Sequence, residues 1–96
     1  MKEADRPILT VLYRSTYPQR ASSIRWILKE YFDISVPEST YYRRLKHLKY
    51  AQLIEKQEQY YSITDLGERL LDEDLTDDEV AKVTQRLQEG PPDDDS

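Results

Sequence analysis

The sequence predicts a mostly α protein with one small β-hairpin, and three observations carry that class. Three stretches before residue 50 place apolar residues at helical spacing. Two short runs of alternating character follow, at 53–57 and 59–63. Two further helical stretches, each opened by a capping threonine, complete the pattern. The chain has 96 residues, 38% hydrophobic and 34% charged, which is one small domain with a modest interior.

The elements follow in order. Asp5 is expected to cap the first helix, with Pro7 tolerated in its opening turn. Ile8, Val11 and Leu12 then form a short amphipathic stripe that stops near Ser15, and Tyr17-Pro18 reads as a loop. A second helix is expected from about Ser22 to Phe32, with Ile24, Ile27, Leu28 and Tyr31 on one face and Arg25 and Lys29 outside. Ser35-Val36-Pro37-Glu38 has the form of a capping box with proline in the first turn, opening a third helix that runs to about Lys49. On that helix Tyr41, Leu45 and Leu48 fall within about 60° of one another and predict the buried stripe. The opposite face carries Ser39, Arg43, Lys46 and Tyr50, flanked by Thr40 and His47 on one side and by Tyr42 and Lys49 on the other.

Leu53–Gln57 and Gln59–Ile63 read as two strands joined around Glu58, with Tyr61 and Ile63 facing in. That turn contains neither glycine nor asparagine, which is poor hairpin chemistry. Thr64 is expected to cap a fourth helix, TDLGERLL, with Leu66, Leu70 and Leu71 inward and Gly67 permitting close packing. The last helix starts at Thr76, where T-D-D-E is again a capping box. It carries the stripe Val80, Val83 and Leu87, and Gly90-Pro91-Pro92 ends it. The sequence therefore divides into a domain over 1–75, a helix over 76–90 and an acidic segment over 91–96 expected to be disordered.

Charge is unevenly distributed. Residues 1–71 hold 12 Lys and Arg against 9 Asp and Glu (+3), and residues 72–96 hold 2 against 10 (−8), which together give the net −5. The acidity belongs to the last quarter, so the low overall pI does not argue against a nucleic-acid surface. The bases concentrate in PESTYYRRLKHLKYAQLIE, Pro37–Glu55. With no cysteine in the sequence, disulfides and thiolate metal sites are excluded. No apolar run long enough to span a membrane and no secretory signal is found, so a cytoplasmic location is expected.

The second and third helices, separated by Asp33-Ile34-Ser35, form a helix-turn-helix candidate, and the strand pair behind them supplies a candidate wing. A helix fits the major groove of duplex DNA, where arginine bonds a guanine edge bidentately. Ser39, Thr40, Arg43 and Arg44 are the candidates for base contact. Arg20, Ser22, Ser23, Tyr42, Lys46, His47 and Lys56 are the candidates for phosphate. A basic face on an amphipathic helix is most often only a solvated face. Its coupling to a preceding helix and a following hairpin is what favours DNA.

On these residues the sequence resembles the winged helix-turn-helix transcription regulators, whose recognition helix and strand often read S-T-[apolar]-x-R-R-L-x-x-L-x-x-x-G-L-I. Ser39-Thr40, Arg43-Arg44-Leu45, Leu48 and Leu53-Ile54 match. Tyr61-Ser62-Ile63-Thr64-Asp65-Leu66-Gly67 is similar to the junction Y-x-[IL]-T-x-x-G. The nearest likeness is to small repressor-like proteins of haloarchaea and their phages, and it covers roughly residues 6–75. The resemblance implies a three-helix core, a two-stranded wing and additional C-terminal helices. It also implies sequence-specific duplex DNA binding as a regulator, with repression the expected sign, by a homodimer on a near-palindromic site. Val80, Val83 and Leu87 are either packed on the domain's own first helix or paired with the same helix of a second chain, and on the second reading, the favoured one, they are the candidate dimerisation residues. Gln52 departs from the pattern where glycine is usual, and the hairpin tip, Gln57-Glu58-Gln59, has only Lys56 nearby as a base.

Rival readings are weaker. His47 is the only histidine, so no metal site is built on it. The acidic run from Asp72 to Glu79 fails as an EF-hand loop, because Asp77 and Val83 occupy the positions that need glycine and glutamate. Two glycines, Gly67 and Gly90, cannot make a phosphate-cradling loop. No enzyme site, cofactor or small-molecule effector is expected. The alternative function is a winged helix that binds a partner protein and not DNA.

Overall fold

Apolar spacing fixes the first helix: Ile8, Leu9, Val11 and Leu12 all reach one side of α1 (Asp5–Arg14) and all are buried. The computed structural model of the chain describes residues 2–92. After α1 come β1 (Gln19–Arg20), α2 (Ala21–Tyr31), α3 (Glu38–Tyr50), β2 (Ile54–Gln57), β3 (Tyr60–Ile63), α4 (Asp65–Leu71) and α5 (Asp77–Glu89). The architecture is mostly helical with a small antiparallel sheet. The last four residues of the acidic segment expected over 91–96 lie outside the described residues.

The sheet has three strands where two were expected, in the order β1-β3-β2. Gln19 and Arg20 pair with Tyr61 and Tyr60, and Ile54 pairs with Ile63 across the hairpin. Two residues between Pro18 and a helix are too few to show alternation, so β1 leaves no periodic signal. The hairpin closes tightly because Glu58 takes a left-handed backbone, φ 59°, a conformation glycine or asparagine would adopt more easily.

α1 lies at the centre, against α2, α4 and β3, while α3 packs against α5 and β2. Tyr41, Leu45 and Leu48 are buried as the spacing predicts. Burial pushes the Tyr41 hydroxyl well above the usual tyrosine range, so it stays a neutral donor, and it donates to the Ala21 carbonyl at 2.6 Å. That bond holds the start of α2 beside the first turns of α3.

Three expectations are corrected. Asp5 is not a cap: Ala4 occupies that position without a side-chain bond, and the Asp5 carboxylate is buried. It accepts the Lys2 backbone N–H at 3.0 Å and the guanidinium of Arg44. Ser35–Glu38 is not a capping box, because α3 starts after Pro37 with no side-chain cap, and Glu38 instead faces Arg25 at 3.5 Å. Tyr31 does not join the buried face of α2. It is 74% exposed, with its ring edge-on to Trp26, centroids 5.9 Å apart.

The junction between α3 and α4 is closely packed. Thr64 accepts the Gly67 N–H at 3.1 Å and donates to the Gln52 carbonyl at 2.6 Å. A Cβ on Gly67 would run into the Leu53 carbonyl oxygen and come 2.7 Å from Ile63 Cγ1. Gln52 ends α3 in a left-handed conformation, φ 64°. Its N–H reaches the Lys49 carbonyl at 2.9 Å and the Leu53 N–H reaches the Leu48 carbonyl at 3.0 Å. This is the two-bond helix terminus that favours glycine. Gln52 therefore takes a conformation that glycine adopts more easily, at the cost of backbone strain.

At α5 the T-D-D-E box forms as expected. Glu79 N–H donates to Thr76 Oγ1 at 3.2 Å and Thr76 N–H to Glu79 Oε1 at 3.0 Å. The Thr76 N–H holds the Glu79 carboxyl below its ordinary range.

Gln52→Gly is expected to stabilise the chain by about 0.5–1 kcal/mol, read as a thermal midpoint raised by roughly 2–8 °C. Gly67→Ala is expected to cost about 1–3 kcal/mol despite alanine's better helix propensity. A stabilised Gly67→Ala variant would contradict the close packing of α4 on the Leu53 carbonyl.

Candidate nucleic-acid interface

α3 divides around its circumference. With 100° per residue, Tyr41, Arg44, Leu45, His47 and Leu48 occupy one buried arc that spans about 160°. Tyr42, Lys49, Lys46, Ser39, Tyr50 and Arg43 fill an exposed arc of about 120°. The buried arc is wider than the three-residue stripe predicts because α5 covers a second side of the helix.

Two predicted contact residues are lost to that second side. Arg44 is 7% exposed and Asp5 0%. Arg44 Nε donates to Asp5 Oδ1 at 2.8 Å and Nη2 to Oδ2 at 2.6 Å, a planar two-point pairing of guanidinium with carboxylate. Arg44 is therefore a core residue and not a base reader. His47 is also buried. Its Nδ1 lies 2.6 Å from the Leu87 carbonyl oxygen, where it donates, and its ring fills the space beside Gly90. A Cβ there would collide with the imidazole and lie 2.5 Å from Nε2. His47 is thus the seat of α5, not a phosphate contact.

The other predicted residues lie in the following places. Ser39, Arg43 and Lys46 are exposed on the outer arc of α3, and Tyr42 at its edge is 41% exposed. Thr40 is exposed but stands on the α5 side, where it and Arg43 line a cleft of about 710 Å³ with Lys2, Thr84 and Gln88. On α2, Ser22 is exposed and Ser23 half-buried. Arg20 is exposed on β1, with its guanidinium 5.5 Å from the centroid of the Tyr60 ring. Its hydrogen bond to Tyr60 lowers that phenol's pKa from the ordinary value. Lys56 is exposed on β2 with its Nζ 5.6 Å from the Tyr61 ring centroid. Val83 and Leu87 are buried within the chain and only Val80 of the predicted dimerisation stripe is exposed, so the stripe is spent on α5's packing in its own fold.

Charge is segregated by the same packing. The acidic first turn of α5, Asp77-Asp78-Glu79, begins ten residues before Leu87, which is about 15 Å along the helix. Glu79 pairs with Arg69 at 3.3 Å. The acids thus sit at the end of α5 remote from the His47 contact. The arrangement offers a helix face with a guanidinium, two ammonium groups, a hydroxyl and two phenols. These groups can neutralise phosphates and donate to base edges. Among the described residues no group of three or more His, Cys, Asp or Glu side chains is placed to hold a metal ion, and no helix is long and apolar enough to cross a membrane.

Sequence reasoning missed Trp26, 56% exposed on α2. The available signal is its position on the helix, off the stripe formed by Ile24, Ile27 and Leu28. Comparison of the chain with family models, curated proteins and solved structures found no match.

Asp5→Ala is expected to leave the Arg44 guanidinium buried and unpaired, at a cost of about 3–5 kcal/mol in urea denaturation of the full chain. The joint replacement Asp5→Leu with Arg44→Met should recover most of that loss. A cost below about 1 kcal/mol for Asp5→Ala would mean that the guanidinium finds water or another acceptor, contrary to the burial described.

Proposed function

We propose that this chain is a winged helix-turn-helix protein that binds duplex DNA sequence-specifically through α3, as a transcription regulator acting by repression. In this reading α2 and α3 are the helix-turn-helix and the β2–β3 hairpin is the wing. The observation that carries it is the two-sided burial of α3. A helix clamped by the α1 core on one side and α5 on the other, with a contiguous basic arc left to solvent, is a rigid element of the width a major groove admits.

Roles follow from position. Ser39 and Arg43 lie on the first turns of the outer arc and reach base edges. Lys46, Lys49 and Tyr42 serve phosphates. Arg20 and Ser22, held near the α3 N-terminus by the Tyr41–Ala21 bond, bind the flanking strand. Lys56 supplies the wing's only base, so the wing contributes little. A homodimer on a near-palindromic site would have to use a surface other than Val83 and Leu87.

Binding to labelled duplex from a random-sequence selection, followed by fluorescence anisotropy across a salt titration, tests the reading. Arg43→Ala is expected to weaken the selected duplex by about 1–3 kcal/mol and to relax preference at one base position. Lys46→Ala should weaken all sequences alike and reduce the salt slope by about 1. If the folded chain selects no sequence and binds no duplex at any salt, the protein-binding alternative replaces this reading.

A further inference from the structure

A single exposed hydrophobic side chain is ordinary, whereas exposed aromatics gathered at the rim of an apolar groove mark a contact surface. Trp26, the only tryptophan of the chain, is 56% exposed on α2. It borders a groove of about 400 Å³ between α2 and α3. Tyr42 stands on the α3 wall, Leu28, Ile34 and Val36 line the groove's interior, and Lys29 lies on the α2 side. Tyr31 braces the indole edge-on, which restricts its rotamers before any partner arrives. Across the groove, Arg25 donates to the Val36 carbonyl at 3.1 Å and faces Glu38 at 3.5 Å, so the two walls are tied together.

The groove is continuous with the proposed reading face, because Tyr42 belongs to both. A duplex laid on the exposed arc of α3 must carry one sugar-phosphate strand past Tyr42 towards α2. We infer that this groove seats that strand, with the Trp26 indole and Tyr42 phenol packed on deoxyribose and Lys29 on the adjoining phosphate. The inference rests on the DNA-binding reading and extends it with residues that sequence patterning does not assign. Apolar packing on sugar is indifferent to salt, whereas phosphate contacts weaken steeply with it. The groove therefore supplies a share of affinity that persists when ionic contacts fade.

The sole tryptophan makes the test direct. Its fluorescence and its quenching by acrylamide are followed while the full chain is titrated with the selected duplex, alongside anisotropy of the labelled DNA. The expected result is acrylamide protection of Trp26 that saturates with the anisotropy signal. Trp26→Ala, at an exposed position, should keep the fold by circular dichroism and bind the duplex about tenfold more weakly, with its salt slope unchanged. Trp26→Phe should restore part of the loss, and Lys29→Ala should reduce the slope by about 1.

Duplex binding that depends on Arg43, with Trp26 still fully quenchable and Trp26→Ala binding like the parent, would overturn the groove while leaving the reading face intact. Absence of any duplex binding would overturn both. Trp26 protected by a peptide or a second copy of the chain, and not by duplex, would likewise contradict the inference.

Discussion

Two charges held out of water lower their energy only through one another, so the Asp5–Arg44 pair ties the first turn of α1 to the middle of α3 in one geometry. Both side chains are essentially inaccessible and their two bonds are short. Such a pair is a weak net contributor to stability, because desolvation offsets most of the attraction. Its consequence is positional. Any rotation of α3 about its axis would separate the guanidinium from the carboxylate and strand both. The pair therefore sets which residues of α3 face outward, and with them the place of Arg43, one residue before Arg44 and about 100° around the helix.

His47 completes the constraint from the other side. Its bond to the Leu87 carbonyl and the absence of a side chain at Gly90 let α5 lie close against α3. With α1 and α5 both engaged, only one arc of α3 remains for a partner. That arc carries the exposed bases Arg43, Lys46 and Lys49. A chain with net charge −5 thus presents a locally positive surface, and the sign of its total charge says little about what that surface meets.

Much of the architecture was legible in the sequence, and the failures share a physical cause. Helix positions followed from the 3.6-residue spacing of Ile8, Val11 and Leu12, of Ile24 and Leu28, and of Tyr41, Leu45 and Leu48. Thr64, Thr76 and Gly67 acted locally, and local chemistry is readable. Arg44 and His47 were misjudged because what buries them comes from residues 39 and 40 positions away, Asp5 and Leu87. A one-helix projection cannot see a second helix covering its flank. Asp5 was read as a cap for the same reason: its partner is distant. β1 escaped because two residues carry no period. The matched motif splits in two. Thr64, Gly67 and Arg44 serve packing and capping, whereas Ser39 and Arg43 stand exposed on the outer arc of α3.

In the proposed function the exposed arc of α3 is the binding surface and the opposite arc is core. Chemical-shift perturbation of the ¹⁵N-labelled chain, on titration with a duplex from the random-sequence selection, tests it most directly. Large shifts are expected at Ser39, Tyr42, Arg43, Lys46 and the start of α2, with Arg44 and His47 amides moved only slightly and the outer face of α5 unmoved. Shifts centred on α5 or α4, with the α3 arc silent, would contradict it.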